Sequence, residues 1–299
     1  MKRKYNILKS LLASLCMVSF ISNIAFAGDL DKVSEEKLNI EEQYKIISEF
    51  NENLKMKRST TNNIDFIGVK EDGIDISLND TTDINLKEEI LLLPGIDSES
   101  VDFVDFNITW QGLADELPEN YDIKRGVNYG LGVIIEIDGM YATMGSPAST
   151  SANTFYTANH SYVRTGDPVY YRGSRMGTVD RYNFGGYCDV SRVNMSAYDG
   201  RIAHALDNLH ASTPSQGTRV TAYTGYSGYV SGSILYKSAE IDGSGFVLRD
   251  LTVASMQTQQ GDSGACLVYN RGAIGILSMG AEVNGSPVTL FTKTTNIPF

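Results

Sequence analysis

The stretch QQGDSGACL, residues 259–267, contains a Gly-Asp-Ser-Gly string whose serine is either a nucleophile or an ordinary turn residue. Glycine, aspartate and serine all favour turns, so the string alone does not separate these alternatives. A serine hydroxyl attacks a carbonyl only when a base takes its proton and a third group orients that base. The role of Ser263 therefore depends on the histidine and the carboxylate that the chain can bring to it.

The candidate bases are three histidines, and all of them precede Ser263. This order excludes the Ser, acid, His sequence of the α/β-hydrolases. His160 follows an alternating apolar run in TFYTANHSY, so it is expected at the end of a strand. His204 and His210 lie in a polar linker, where a solvated loop histidine is the simpler interpretation. We therefore favour His160 as the base.

The candidate acid is a carboxylate between the His160 and Ser263 motifs. Asp189 opens an alternating run in GGYCDVSRVNM, which indicates a strand. Asp180 and Asp199 lie in turn-like contexts, where aspartate commonly caps or forms the turn. Asp189 is therefore the favoured third member of the set.

A family resemblance rests on these three motifs. Thr-Ala-x-His at a strand end, the strand of Asp189 and the Gly-Asp-Ser-Gly string resemble the chymotrypsin-like serine proteases. PVYYRGSRMGTVD and TAYTGYSGYVSGSIL extend the likeness to the secreted bacterial streptogrisin and α-lytic protease branch, over about residues 126–293. The resemblance implies a mainly β, two-barrel chymotrypsin-like protease domain at 123–299, with barrels at about 126–200 and 213–299.

The resemblance also implies roles for single residues. Ser263 would be the nucleophile, His160 the general base and then acid, and Asp189 the group that orients His160. The N–H groups of Gly261 and Ser263 would form the oxyanion hole, and Asp262 would be buried against a cation. The residues implied in substrate binding are Gln257, Gln260, Ser278, Met279 and Gly280.

The substrate preference is bounded by two positions of that pattern. Gln257 stands where relatives that cut after Arg or Lys have an acidic residue, and Leu277 stands where glutamate-specific relatives have a histidine. An uncharged side chain before the cut is therefore expected.

The motifs depart from the family pattern beside the histidine, the aspartate and the serine. Asn159 and Ser161 replace the usual Gly and Cys, so the disulfide next to the histidine is absent, and Ser191 replaces an alanine. After Ser263, Ala265 and Cys266 replace the usual Gly-Pro. After residue 27, two cysteines remain, Cys188 and Cys266. An extracellular protein can join them, but two free thiols are equally compatible with the sequence.

The N-terminal part of the chain differs in charge and pattern. Residues 1–27 have a basic start, an apolar middle and an Ala-Phe-Ala end, which predicts a secretory signal rather than a membrane span. Residues 28–124 carry 24 acidic and 9 basic residues, which suggests a unit with its own task. A helix at 34–57, a short helix from residue 86 that Pro94 and Gly95 stop, a hairpin at 66–78 and a strand at 101–110 predict a small α+β unit.

That unit, residues 28–122, resembles the pro-region of the same branch. We expect it to act as an intramolecular inhibitor or folding aid and to be cut off between Tyr121 and Gly126, where Lys124-Arg125 is a candidate for another protease. Beyond it the chain is all-β, with a possible helical turn only at 201–212.

The composition is that of a globular protein, with 42% apolar and 20% charged residues. The sequence lacks a basic patch for nucleic acid and an H-E-x-x-H motif, so we expect no nucleic-acid partner, metal or cofactor. A secreted monomeric serine endopeptidase made as a zymogen, acting on polypeptides and not membrane-bound once its signal is removed, is the favoured interpretation. The alternative is a secreted binding or adhesion protein that keeps the fold without turnover.

Overall fold

A computed structural model describes residues 38–57, 63–118, 131–148, 153–196, 206–243 and 245–299. The predicted signal, the predicted cut between Tyr121 and Gly126, Asp199 and His204 lie outside these residues. No helix in the described part of the chain is long and apolar enough to cross a membrane.

Residues 38–118, here called the leading segment, contain helices and strands of the kind predicted for the α+β unit. The elements are α1 (Ile40–Lys57), β1 (Ile64–Val69), β2 (Ile74–Leu78), α2 (Ile84–Leu91), β3 (Val101–Phe103) and β4 (Phe106–Gln111). Apolar residues at helical spacing in α1 face the strands, and together they form one buried cluster that includes Ile47, Ile67 and Ile76. Asp83 caps α2 by accepting the Leu86 N–H over 2.9 Å.

The prediction of one continuous strand over 101–110 is wrong, because this stretch forms two separate strands. β3 pairs in parallel with β2, whereas β4 pairs antiparallel with a strand of the second barrel. Val104 and Asp105 separate the two strands, because each strand serves a different sheet neighbour. The alternating apolar pattern is uninterrupted across the break and so could not reveal it.

The first barrel is a six-stranded antiparallel sheet, ordered β6-β5-β8-β9-β10-β7. Alternating side chains point inward and fill a core that includes Ile135, Phe155 and Val193. Its strands are β5 (Ile134–Ile137), β6 (Met140–Thr143), β7 (Thr154–Thr157), β8 (Pro168–Tyr171), β9 (Ser174–Gly185) and β10 (Cys188–Met195).

The second barrel closes on itself, since β11 pairs with both β14 and β12 in the ring β11-β14-β15-β16-β13-β12. Closure leaves no free edge inside the ring. Residues 206–212, part of the possible helical turn, are not helical. The strands are β11 (Arg219–Tyr223), β12 (Tyr229–Gly243), β13 (Phe246–Ala254), β14 (Cys266–Tyr269), β15 (Gly272–Val283) and β16 (Ser286–Lys293). The mainly β, two-barrel architecture with a small α+β part before it agrees with the predicted fold class.

Two strand pairings join the leading segment to the second barrel. β1 extends the β12–β13 hairpin, with Phe66 opposite Ile241, so that β1, β2 and β3 continue the barrel sheet. β4 adds to the outer edge of β15, with Trp110 opposite Gly280. The second pairing brings the end of β4 to the space between the two barrels.

Candidate active site

The structure brings His160 and Ser263 together from different barrels. His160 lies in the turn after β7, and Ser263 lies in the loop between β13 and β14. Nε2 of His160 is 2.8 Å from Oγ of Ser263, and both side chains are buried. This distance is within the reach that proton transfer from a nucleophile to its base requires.

Asp189 completes the arrangement from the second position of β10. Its Oδ2 lies 3.0 Å from Nδ1 of His160, which is an ion-pair distance. The two groups are not aligned as a hydrogen bond requires. Its Oδ1 accepts the N–H groups of Asn159 and His160 over 3.1 and 2.7 Å, and Ser278 donates its hydroxyl to Oδ2. The carboxylate is therefore held on both oxygens and cannot rotate away from the imidazole.

The charge state of Asp189 follows from these contacts. Complete burial alone would raise its pKa, but the nearby imidazole and the hydrogen bonds from His160 and Ser278 outweigh burial and lower the pKa below its ordinary value. Asp189 is thus kept as a carboxylate that can orient His160 and stabilise positive charge on it.

The backbone of the histidine turn is unusual. His160 and Ser161 both have positive φ, at 50° and 64°, a region that residues other than glycine rarely adopt. Such conformations persist only where surrounding contacts hold them, and they concentrate at functional sites. The local contacts come mainly from Asn159, whose side-chain amide bonds to Ser161 and Val163 just after the histidine.

The loop before Ser263 presents free backbone donors. Gly261 has a φ of 94°, and a Cβ at this position would overlap the ring of Tyr226, so glycine is required here. Thr143 fixes the loop by donating its hydroxyl to the Gly261 carbonyl over 2.8 Å and its N–H to the Ser263 carbonyl over 2.8 Å. Within the described residues, the N–H groups of Gly261 and Ser263 donate to no backbone carbonyl, so both are available to bind an oxyanion.

Asp262 is buried as expected, and among the described residues its partners are N–H and hydroxyl groups and no cation. Its Oδ1 accepts the N–H groups of Tyr226 and Ser227 over 2.8 and 3.1 Å, and its Oδ2 accepts the N–H of Gln259 over 3.0 Å and the Ser227 hydroxyl. Several N–H donors can stabilise a buried carboxylate without a counter-ion. Asp262 therefore shapes the loop through backbone contacts.

The leading segment runs through the space in front of Ser263. Oγ of Ser263 donates to the carbonyl of Gly112 over 2.9 Å. On one side of this contact, β4 pairs with β15, and on the other, Ala114 exchanges two hydrogen bonds with Tyr141 of β6, of 2.9 and 2.7 Å. Residues 106–114 therefore cross from the second barrel to the first, directly over the nucleophile candidate.

The side chain of Trp110 lies between two segments that flank Ser263. Its indole N–H donates to the carbonyl of Thr258 over 3.0 Å. Gly280 lies against the same indole, since any Cβ there would overlap it. The indole also packs against a buried apolar cluster of the second barrel, and the Thr258 and Thr289 hydroxyls are 2.9 Å apart beside it. The described contacts of this pocket are therefore with neutral polar and apolar groups.

The predicted substrate-binding residues have different positions. Ser278, Met279 and Gly280 lie in β15, with Met279 and Gly280 opposite β4 in the ladder. Gln260 donates to the Leu113 carbonyl over 2.6 Å, whereas Gln257 is exposed to solvent. Sequence reasoning missed the residues of the leading segment that enter the site, since they lie about 150 positions from Ser263 and have no motif. These are Trp110, Gly112, Leu113 and Ala114.

The possible bond between Cys188 and Cys266 is not formed, and each is a buried free thiol. They belong to different apolar clusters, so each thiol is packed as a small apolar group. Burial, followed by the neighbouring charge of Asp189, raises the pKa of Cys188 to about 12, and burial raises that of Cys266 further. Both thiols are therefore protonated near neutral pH.

The remaining titratable groups do not form a second centre within the described residues. His210 has its Nδ1 3.0 Å from the carbonyl of Thr294, away from Ser263. The described part of the chain contains no cluster of three or more His, Cys, Asp and Glu side chains suited to a metal ion.

Comparison with known proteins finds similar structures but no match in sequence searches. No protein-family model matches the chain, and no curated protein is similar to it in sequence. Solved structures that resemble it include a chymotrypsin from Cellulomonas bogoriensis, with 22% identity over 55% of this chain and 92% of that one, at a TM-score of 0.45. A Nocardiopsis protease has 20% identity over 55% and 90% of the two chains, also at 0.45. Protease A of Thermobifida fusca has 20% identity over 55% and 92%, at 0.44.

Proposed function

We propose that this protein is a secreted serine endopeptidase that hydrolyses peptide bonds through an acyl-enzyme. The observation that carries the proposal is the ordered contact from Asp189 to His160 to Ser263, with 3.0 and 2.8 Å between successive side chains. Three buried polar side chains from two barrels have no evident structural need for this order. It is the arrangement that activates a serine hydroxyl.

In the proposed reaction, His160 takes the Ser263 proton while Oγ attacks the carbonyl carbon of the substrate. The N–H groups of Gly261 and Ser263 stabilise the oxyanion, and His160 then gives its proton to the leaving amine. Water, deprotonated by His160, releases the acyl group and restores the hydroxyl. Loss of one oxyanion donor in such a site typically costs about 10²- to 10³-fold in rate.

We further propose that residues 28–122 are a pro-region that blocks this site in the precursor. Residues 106–114 occupy both sides of the cleft with strand-like hydrogen bonds, as a bound peptide would. The hydroxyl of Ser263 has a single proton, and the Gly112 carbonyl competes with His160 for it. The covering strand thus opposes both substrate entry and activation of the nucleophile.

A folding role for the same pro-region is supported by its contacts with the β12–β13 hairpin. β1 continues the sheet beyond β12, and Lys55 pairs with Asp242 over 2.9 Å. Ser48 donates to the buried carboxylate of Glu240 over 2.7 Å. These contacts would hold the long hairpin in place while the second barrel closes.

The pocket that holds Trp110 supports an uncharged, large side chain as the preferred residue before the cut. Its contacts are the Thr258 carbonyl and Gly280, which suit an aromatic ring and provide no charge for Lys, Arg or Glu. Trp110 fills the pocket two residues before the carbonyl that faces Ser263. A substrate would place the carbonyl of the pocket residue itself at the nucleophile, so the strand is out of register for its own cleavage.

Covalent labelling with a fluorophosphonate probe tests the proposed activity. Processed protein is compared with Ser263→Ala and His160→Ala variants. Intact mass confirms that residues 28–122 are absent, and an added protease removes them where a variant does not process itself. We expect labelling that requires both residues. Folded, processed protein that does not label would favour the alternative of a secreted binding or adhesion protein.

Secretion and processing are proposed from the sequence alone, because residues 1–27 and 119–130 lie outside the described part of the chain. N-terminal sequencing of secreted protein tests both proposals. We expect a start between Tyr121 and Gly126 in the active form. A fully active form that begins at Gly28 would contradict the zymogen proposal.

A further inference from the structure

We propose that Asn159 and Ser191 act together as positioning residues for His160, with a hydrogen-bonded link that ties the histidine turn to the strand of Asp189. The inference rests on the proposed function, in which His160 is the base. The link is the 2.9 Å hydrogen bond from Nδ2 of Asn159 to Oγ of Ser191, and both residues are completely buried.

The amide of Asn159 is fully committed within the histidine turn. Its Oδ1 accepts the Ser161 N–H over 2.9 Å, and the second Nδ2 proton goes to the Val163 carbonyl over 2.8 Å. With the bond to Ser191, both amide protons are used. One side chain therefore bridges the residues on either side of His160 and reaches the neighbouring strand.

This bridge coincides with the unusual backbone of the turn. His160 and Ser161 have positive φ, so the turn needs external contacts to stay in that conformation. The bond from Ser161 N–H to Asn159 Oδ1 spans both residues. Without it, the imidazole would lose the restraint that directs Nε2 toward Ser263.

Ser191 anchors the bridge in β10, the strand that also carries Asp189. It lies two residues after Asp189 in β10, so both side chains point to the same face of the strand. Asn159 also donates its backbone N–H to Asp189 Oδ1 over 3.1 Å. The turn is thus attached to β10 at two successive inward positions, of which one also orients the imidazole.

Three departures from the family pattern fall within this one network. Asn159, Ser161 and Ser191 stand where the resembled proteases have Gly, Cys and Ala, and all three residues participate in the bonds described above. The Gly and Ala pattern offers neither the amide nor the hydroxyl. In this chain, hydrogen bonds take the place of the covalent restraint beside the histidine.

The test uses Ser191→Ala, Asn159→Gly and the double variant, each as processed protein. The measurements are the second-order rate of fluorophosphonate labelling across pH and the thermal unfolding midpoint. Since small misplacements of reacting groups can cost about 10²-fold, we expect each single change to slow labelling by roughly 10-fold or more. The double variant should be no slower than the slower single variant, because both changes break the same link.

The pH profile separates positioning from mere stabilisation. A less restrained imidazole is a poorer base wherever the protein is folded, so Ser191→Ala should lower the plateau of the labelling profile while the protein stays fully folded at the assay temperature. Ser255→Ala, which removes a hydroxyl bonded to Ser233 in the second barrel, is the matched control and should alter neither rate nor profile.

Two outcomes would overturn the inference without touching the proposed function. One is parent and Ser191→Ala proteins that label at the same rate with the same pH profile. The other is a double variant whose labelling rate falls by the product of the two factors by which the single variants are slowed. Absence of labelling in the parent itself would instead reject the proposed function, and the inference with it.

Discussion

The hydroxyl of Ser263 donates to the carbonyl oxygen of Gly112 over 2.9 Å, while Nε2 of His160 lies 2.8 Å from Oγ of Ser263. A hydroxyl has one proton to donate, so the contact with Gly112 withholds it from the imidazole. The distances that the proposed catalysis requires and a contact that would oppose it therefore coexist in one structure. Release of the leading segment would free the proton without any need to rebuild the site.

This relationship predicts slow labelling of the precursor. A tethered segment competes at an effective concentration of about 1 mM, so a strand with an intrinsic affinity of about 10 μM would slow fluorophosphonate labelling by about 100-fold. Trp110→Ala should restore part of the rate, whereas Trp110→Phe, which keeps an aromatic ring in the pocket, should restore less. Equal labelling rates for precursor and processed protein would contradict the blocked site.

The same step can be followed by fluorescence. Trp110 is the only tryptophan, and its indole is partly buried between Thr258 and Gly280. Displacement of β4 should expose it to water and shift its emission to longer wavelength, in step with the gain in labelling.

The residues of the sequence motifs could be predicted, whereas the residues of the leading segment that lie over Ser263 could not. His160 and Ser263 have local signals, since a strand end and a glycine-rich turn are each recognisable within a few residues. The contacts of Trp110 and Gly112 join positions 148 and 151 residues apart, and no local pattern encodes such a pairing. The N–H donors of Asp262 were missed for a similar reason, because Tyr226 and Ser227 are distant from it in sequence.

Gly280→Val should narrow the pocket that holds Trp110. A side chain at this position overlaps the space of the indole, so cleavage after large aromatic residues should fall by about 10²-fold or more, as expected when a well-packed group is excluded. Labelling by a small fluorophosphonate should stay within a few-fold of the parent, because the probe does not need the pocket. Peptide substrates that differ only at the residue before the cut provide the measurement, and Gly280→Ala should give an intermediate loss. Unchanged cleavage after Phe, Tyr and Trp would place the specificity pocket elsewhere.

The two buried thiols should be inert in the native protein. The pKa of Cys188 is raised to about 12 and that of Cys266 further, so neither forms the reactive thiolate near pH 8. Iodoacetamide should modify neither in folded, signal-free protein, and both after unfolding without reductant. A count of zero thiols in the unfolded, unreduced protein would mean that the two cysteines are joined.

Asp189→Asn should separate the catalytic effect of the carboxylate from its effect on stability. Replacing the orienting carboxylate of a serine, histidine and aspartate set typically lowers kcat by about 10⁴-fold, because the amide favours the wrong imidazole tautomer. The variant should therefore fold and bind substrate while turnover is nearly lost, which kcat and KM on a peptide substrate will measure.

The pH dependence of unfolding has a defined sign in the same variant. Because contacts lower the pKa of Asp189 in the folded protein, its carboxylate contributes stability above the pKa of the unfolded chain, about 3.9. That contribution is lost as pH falls through the lower folded pKa. Below about pH 4, the free energy of unfolding should therefore decline less steeply in Asp189→Asn than in the parent, as measured by urea unfolding at each pH. Parallel slopes would mean that Asp189 titrates alike in both states, and its hydrogen bonds with His160 and Ser278 would then not favour the ionised form.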